Sequence, residues 1–222
     1  MVKNNRLQGE NNMLENVEVL CHASIKFNGE KTIYFDPFKI EKEYHDADII
    51  FITHSHYDHF SEEDMQKVRK LDTKIVVTKD LYDRTKKLGF KEENILKVIP
   101  NKSYCMDNIL IRTIPSYNMN KQFHPKENNW VGYLIELNDT TYYIAGDTDL
   151  TEESQKVKCD VAFVPVGGTY TMTAPEAAEL VNIIKPKVAV PIHYGSLVGT
   201  KQDAEKFKQN VNSEIKCEIL MK

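Results

Sequence analysis

Residues 54–59 place three histidines and one aspartate within six positions, directly after a short apolar run. The segment reads His-Ser-His-Tyr-Asp-His and follows Ile-Ile-Phe-Ile at 49–52. Imidazole nitrogens and carboxylate oxygens suit zinc first, with iron or manganese as competitors. Core packing or solvent exposure rarely requires such a density of donors, so the segment predicts a metal site. The alternative is a solvated loop that happens to contain several histidines.

The spacing of these donors indicates two adjacent metal ions. Side chains alternate along an extended segment, so His54 and His56 can converge on one ion. Asp58 and His59 lie beyond the bend and can reach a second ion. No cysteine lies next to the segment to impose zinc, and the identity of the metal stays open.

Two further candidate ligands follow other strand-like segments. Asp147 comes directly after Gly146, which permits a close backbone approach, and a carboxylate can bridge two cations. Taken alone, Asp147 reads equally as part of an ordinary Gly-Asp turn. His193 follows the apolar segment 188–192 and, taken alone, is typical of a structural histidine.

Strand-like and helix-like segments alternate along the chain. A serine at 61 followed by Asp64 opens a predicted helix, and Thr173 with Glu176 opens another. Asn138-Asp139 predicts a hairpin between two strands. The predicted strands are 17–20, 32–35, 48–53, 74–78, 109–114, 131–137, 141–145, 161–164, 188–192 and 216–220, and the predicted helices are 61–71, 80–89, one from 173 that ends before Pro186, and 201–210.

Composition narrows the class of protein. The chain has 222 residues, a length that favours one domain over residues 16–222, after a weakly ordered polar extension at 1–15. The formal net charge of −4 argues against a broad nucleic-acid surface. Four widely spaced cysteines indicate reduced thiols. Neither a signal peptide nor a membrane span is recognisable, so we expect a cytoplasmic protein.

Together these motifs resemble the metallo-β-lactamase superfamily. The resemblance rests on His-x-His-x-Asp-His at 54–59, Gly-Asp-Thr-Asp at 146–149 and Pro-Ile-His-Tyr at 191–194. Cys-His-Ala-Ser at 21–24 and Asp-Pro-Phe at 36–38 resemble the branch of L-ascorbate-6-phosphate lactonase and N-acyl-phosphatidylethanolamine phospholipase D. The resemblance implies an α/β fold, an αβ/βα four-layer sandwich of two mixed β-sheets with helices outside.

The resemblance also implies a dinuclear metal site. His54 and His56 would bind the first divalent ion, Asp147 would bridge, and the second ion would be bound by Asp58, His59 and His193. The family's third histidine of the first site is missing, because the chain reads Ile-Pro-Ser-Tyr-Asn at 114–118. His124 could replace it, face the substrate or cap a loop. A single-metal protein is the alternative.

The remaining candidates concern catalysis. His22 could act as a proton donor or be a packed core histidine, and Asp36 could hold a ligand histidine through its second nitrogen or form a turn. Tyr194 and Tyr117 could hydrogen-bond an oxyanion or pack as aromatics. Asp58 and Asp147 would orient a metal-activated water.

The predicted activity is hydrolysis of a small anionic substrate. The resemblance puts phosphodiester or lactone cleavage first, with the loop 117–130 as a lid that carries Lys121 and Lys126. A noncatalytic metal sensor and a nuclease-like member of the same fold are the alternatives. The nuclease would need a basic channel, which this acidic chain does not display.

Overall fold

The computed structural model describes residues 13–221, in which two β-sheets pack face to face with α-helices on their outer surfaces. The first sheet contains, in spatial order, β1 (Val17–Cys21), β2 (Ser24–Asn28), β3 (Thr32–Phe35), β4 (Ala47–Phe51), β5 (Arg69–Thr78) and β6 (Ile95–Val98). The second contains, in the spatial order β13-β12-β11-β10-β9-β8-β7, the strands β7 (Ser103–Met106), β8 (Ile109–Pro115), β9 (Val131–Leu137), β10 (Thr140–Ile144), β11 (Val161–Pro165), β12 (Val188–Ile192) and β13 (Lys216–Cys217). The helices are α1 (Glu62–Val68), α2 (Tyr82–Lys87), α3 (Ala174–Ile184) and α4 (Lys201–Asn210).

Three apolar clusters hold these layers together. The central cluster lies between the sheets and includes Phe35 and Phe51 from the first sheet and Phe163 from the second. A second cluster joins the seven-stranded sheet to α3 and α4, and a third joins the six-stranded sheet to α1 and α2. Burial on both faces explains why β11 and β12 are continuous apolar runs. The predicted four-layer α/β sandwich is confirmed.

Local sequence signals placed several elements correctly. Thr173 and Glu176 form a reciprocal capping box at the start of α3, with a proline in the first turn. Asn138 and Asp139 join β9 to β10 with φ angles of 49° and 59°, the left-handed values that a two-residue hairpin loop requires. Strands β9 and β12 have the predicted bounds.

The helix predicted over 61–71 is shorter in the structure. Helix α1 ends at Val68, and the chain turns into β5 at Arg69, whose ψ is 145°. The Arg69 guanidinium donates to the carbonyls of Leu88 and Gly89, and Ala47 pairs with Arg69 across the sheet. These contacts are distant along the chain, so local helical periodicity could not reveal them.

Strands β2, β6 and β7 were missed. β2 alternates polar and apolar residues over only five positions and is almost wholly buried, whereas β6 and β7 are four-residue strands at the ends of their sheets. The predicted extension at 1–15 lies mostly outside the described residues. Its last residues, Met13 and Leu14, pack against the central cluster. No helix among residues 13–221 is long and apolar enough to cross a membrane.

Strand direction brings the candidate donors to one edge. Strands β3, β4, β5 and β6 are parallel, as are β10, β11, β12 and β13. β8 and β10 are each antiparallel to β9 and therefore run in the same direction. The segments that follow β4, β8, β10 and β12 consequently emerge from carboxyl-terminal strand ends.

Candidate metal centre

Six of the seven histidines of the chain meet at the edge where these strands end. They come from four separate segments: the turn after β1, the turn after β4, the loop between β8 and β9, and the residue after β12. The seventh, His45, is exposed and pairs with Glu43 and the Arg69 carbonyl. The six that converge, together with two aspartates, are His22, His54, His56, His59, His124, His193, Asp58 and Asp147.

The turn after β4 presents its donors as the spacing suggested. His54 Nε2 lies 3.1 Å from His56 Nδ1, and the amides of His59 and Phe60 both donate to the His56 carbonyl. That tight turn separates His54 and His56 from Asp58 and His59. The Thr53 hydroxyl lies 3.0 Å from His54 Nδ1, which leaves Nε2 of His54 facing the other donors.

The first donor group consists of His54, His56 and His124, whose ligand atoms all lie within 4.8 Å of one another. His124 is 1% exposed, and its Nε2 is 3.2 Å from an Asp147 carboxylate oxygen. His124 thus lies beside His54 and His56, and its role as the third ligand stays a prediction. It is buried with the donors and does not face solvent.

Asn118 holds His124 in this orientation. Its side-chain oxygen lies 2.9 Å from His124 Nδ1 and also accepts the His124 backbone N–H at 3.1 Å. Asn118 occupies the strand-end segment where the family has its histidine. Here the strand-end segment supplies the residue that orients His124, and the loop supplies His124 itself. Sequence reasoning missed this role, because an asparagine in a loop carries no signal of its partner.

The second donor group consists of His22, Asp58, His59 and His193, again within 4.8 Å. His59 Nε2 lies 3.7 Å and His193 Nε2 lies 3.9 Å from the same Asp58 oxygen. His193 has a φ of 61°, a strained value for a histidine, which turns its ring toward Asp147 at 3.0 Å.

Asp147 lies between the two groups. Its carboxylate approaches His59 at 3.3 Å, His124 at 3.2 Å and His193 at 3.0 Å. Gly146 adopts a φ of 66°, and a Cβ there would lie 3.1 Å from both the Ser116 hydroxyl and the Val131 carbonyl. The glycine therefore permits the turn that directs Asp147 inward.

Burial and neighbouring charges shift the pKa values of the donors in opposite directions. Burial, with His59 nearby, holds the pKa of His54 well below its usual value. Burial also disfavours a charged His59, but Asp147 and Asp36 outweigh it and raise its pKa well above normal. Burial would raise the pKa of Asp147, but the surrounding histidines, His193 and His59 above all, bring it well below normal. A cation at His59 Nε2 would therefore displace a proton.

Asp36 contacts the second group through Nδ1 of His59, the ring nitrogen opposite the one that faces the other donors. One of its oxygens lies 2.7 Å from His59 Nδ1 and accepts the Thr53 hydroxyl at 2.6 Å, while the other accepts the Thr53 backbone N–H at 2.8 Å. A carboxylate on Nδ1 fixes the tautomer that leaves Nε2 free for a metal. The structure thus places Asp36 in the supporting role that the sequence suggested.

These residues fit a pair of metal ions. Neutral imidazoles and carboxylates are typical ligands of zinc, iron and manganese. Among the described residues, four buried Nε2 atoms lie 3.0–3.3 Å from a carboxylate oxygen of Asp58 or Asp147 without hydrogen-bond geometry, which is the spacing of ligands that share a cation. They belong to His22, His59, His124 and His193.

Both tyrosines lie away from the donors. Tyr194 packs in the cluster between the seven-stranded sheet and its helices, where burial raises its pKa to about 12. The hydroxyl of Tyr117 donates to Glu153 at 2.7 Å and contacts Lys126 at 3.1 Å. Aromatic packing, one of the two roles open for these rings, describes Tyr194, and an oxyanion contact from either ring stays a prediction.

Trp130 forms one wall of the first donor group, which sequence reasoning did not predict. Its ring centroid lies 4.9 Å from that of His54 and 4.8 Å from that of His56, and its indole N–H donates to Asp80 at 3.2 Å. The side chain is 7% exposed. The only signal was that the single tryptophan of the chain precedes β9.

Comparison with known proteins agrees with this geometry. A model of the β-lactamase superfamily domain matches residues 16–193. The chain therefore belongs to the metallo-β-lactamase superfamily, and its relatives there are UPF0173 metal-dependent hydrolases. One from Thermococcus kodakarensis is 30% identical over 217 residues, covering 92% of this chain and 95% of the relative. Another, from Staphylothermus marinus, is 32% identical over 208 residues, 86% of each chain.

A solved structure supports the fold. Igni18, described as a metallo hydrolase from Ignicoccus hospitalis, superposes with a TM-score of 0.76 at 23% identity, over 92% of this chain and 94% of that one. This likeness shows the fold, and the match over residues 16–193 confirms the predicted superfamily, whereas membership of the lactonase and phospholipase D branch stays a prediction.

Proposed function

We propose that this metal-dependent hydrolase cleaves an ester-type bond, a phosphodiester or a lactone, in a small anionic substrate, with residues 16–222 acting as one domain. The observation that carries the proposal is the meeting of two donor groups, each of three or more ligand atoms within 4.8 Å, around Asp147. Zinc is the first candidate metal, with manganese and iron as competitors.

The first group would hold one ion and the second group the other. His54, His56 and His124 would bind the first, while Asp58, His59 and His193 would bind the second, and Asp147 would bridge. Two divalent ions bound here would polarise the scissile carbonyl or phosphoryl group and lower the pKa of bound water from about 15.7 toward 7.

The chain's own residues supply orientation and charge. Asp58 and Asp147 accept hydrogen bonds from the attacking water and fix its direction. These two carboxylates only partly compensate two divalent cations, so the site attracts an anion. Trp130 shields the first group from solvent on one side.

The anion preference comes from the centre itself and not from the loop 117–130. Lys121 is 2.6 Å from Asp149, and Lys126 is 2.9 Å from Glu153. Both lysines therefore carry a partner within the protein. Their pairs tie the loop that brings His124 to the site.

The histidine set also weighs against a noncatalytic sensor. That alternative rested on an incomplete first group, and the ligand atoms of His124 lie within 4.8 Å of those of His54 and His56, which supports a complete one. A nuclease-like activity has no observation of its own in its favour.

Metal analysis paired with a hydrolysis panel tests the proposal. The purified chain, loaded in turn with zinc, manganese and iron, is assayed with bis-p-nitrophenyl phosphate and a set of lactones. We expect turnover that Asp147→Asn and His59→Ala abolish and that His45→Ala leaves intact. Tight metal binding without turnover on any substrate would favour the sensor, and absence of metal binding would refute the proposal.

A further inference from the structure

His22 lies in the second donor group, although the resemblance does not make it a metal ligand. It lies in the turn between β1 and β2 with a φ of 57°, and it is fully buried. Its carbonyl accepts the His193 backbone N–H at 2.8 Å, so the turn is fastened to the end of β12 in the opposite sheet. The two imidazole centroids are only 3.8 Å apart.

The His22 ring presents an unpartnered nitrogen to the second donor group. Nε2 lies 3.2 Å from an Asp58 carboxylate oxygen, yet neither ring nitrogen has a hydrogen bond within the described residues. A buried nitrogen without a partner is costly, so such a group usually meets a ligand or an ion. The ring is held by packing against Phe38 and His193.

The distances match those between ligands of one ion. Metal–ligand bonds of about 2.0–2.1 Å put neighbouring donors of a tetrahedral site about 3.3 Å apart. Around the Asp58 oxygen, Nε2 of His22 lies at 3.2 Å, that of His59 at 3.7 Å and that of His193 at 3.9 Å. His22 is the nearest of the three imidazoles to the shared carboxylate.

We propose that His22 is an additional ligand of the second metal ion. The inference rests on the proposed function. The second ion would then be held by His22, Asp58, His59, His193 and Asp147, and the first by His54, His56, His124 and Asp147. The first ion would have fewer protein ligands, which favours it as the one that water and substrate reach.

This assignment excludes a proton-donor role for Nε2 of His22, the nitrogen that faces Asp58. A nitrogen bound to a metal has no proton to give. The competing account is that His22 donates a hydrogen bond that orients Asp58 without touching the ion, and the two accounts predict different behaviour of a glutamine. Glutamine retains a donor of similar reach but is a poor metal ligand.

Metal retention by the full chain distinguishes His22 as a metal ligand from His22 as a hydrogen-bond donor to Asp58. Wild type, His22→Ala, His22→Gln and the remote control His45→Ala are loaded with zinc, dialysed against graded chelator and analysed for metal per chain. We expect wild type and the control to retain two ions. Both His22 variants should lose one ion at a chelator concentration at least about tenfold lower than the concentration that removes it from wild type. Cobalt-loaded samples report the same change as an altered visible absorption spectrum.

Each result has a defined meaning. If His22→Gln retains its second ion as wild type does, His22 only orients Asp58 and the inference is overturned; the same holds if both variants match wild type. If wild type itself binds no metal, the proposed function fails. His22→Gln keeps most of the side-chain volume, so the test remains available if His22→Ala does not fold.

Discussion

Replacing Asp36 with asparagine should weaken metal binding although the side chain keeps its shape. Asp36 is 1% exposed and accepts three hydrogen bonds, two from Thr53 and one from His59. An amide has only one acceptor oxygen. If its NH2 group faces His59, it donates to Nδ1 and forces the proton onto Nε2, the atom that should bind the metal. If it faces the Thr53 backbone N–H, two buried donors oppose each other, at a cost of about 1–3 kcal/mol.

Either arrangement costs binding free energy at the second donor group. Losing such a supporting contact typically weakens metal affinity about 10–100-fold, or about 1.4–2.7 kcal/mol. The assay is chelator competition at neutral pH with circular dichroism as the check on folding. Asp48→Asn is a matched control, because Asp48 also accepts from a backbone N–H, that of Thr32, and pairs with Lys70, at the other end of β4.

The reasoning would be refuted by a folded Asp36→Asn protein whose metal affinity stays within about threefold of wild type. It would also fail if Asp48→Asn weakened metal binding equally. In that case the loss would come from general destabilisation of the sheet.

Three further outcomes follow from the structure. Asn118→Ala should lower the metal content of the first site selectively, since it frees Nδ1 of His124, and metal analysis should show loss of one ion before the other. Burial opposes ionisation of Asp64, but Ser61, Lys67 and two backbone N–H groups lower its pKa. The resulting stabilisation is complete above the unfolded-state pKa of about 4 and declines as the pH falls through the lower folded-state pKa, so Asp64→Asn should cost about 1–3 kcal/mol at pH 7 and progressively less below pH 4 in urea unfolding. Burial raises the pKa of the Cys159 thiol to about 12, so iodoacetamide at pH 8 should modify exposed Cys105 first, as peptide mass analysis would show.

Donors that are close together in the sequence could be recognised without knowledge of the fold. His54, His56, Asp58 and His59 lie in one turn, and the alternation of an extended chain already divides them into two pairs. The capping box at Thr173 and the hairpin at residues 138–139 are equally local, since each depends on hydrogen bonds or dihedral angles within a few residues.

The sequence by itself therefore determined the donor chemistry, the superfamily and most of the elements. Only the tertiary structure decided which distant residues share the centre. His22 and Tyr194 both adjoin predicted strand ends, yet one ring enters the donor group and the other packs under α3 and α4. His124 completes the first group only because Asn118 and the ion pairs of its loop hold it there. Such placements depend on contacts between segments far apart along the chain, and no local pattern of residue types encodes them.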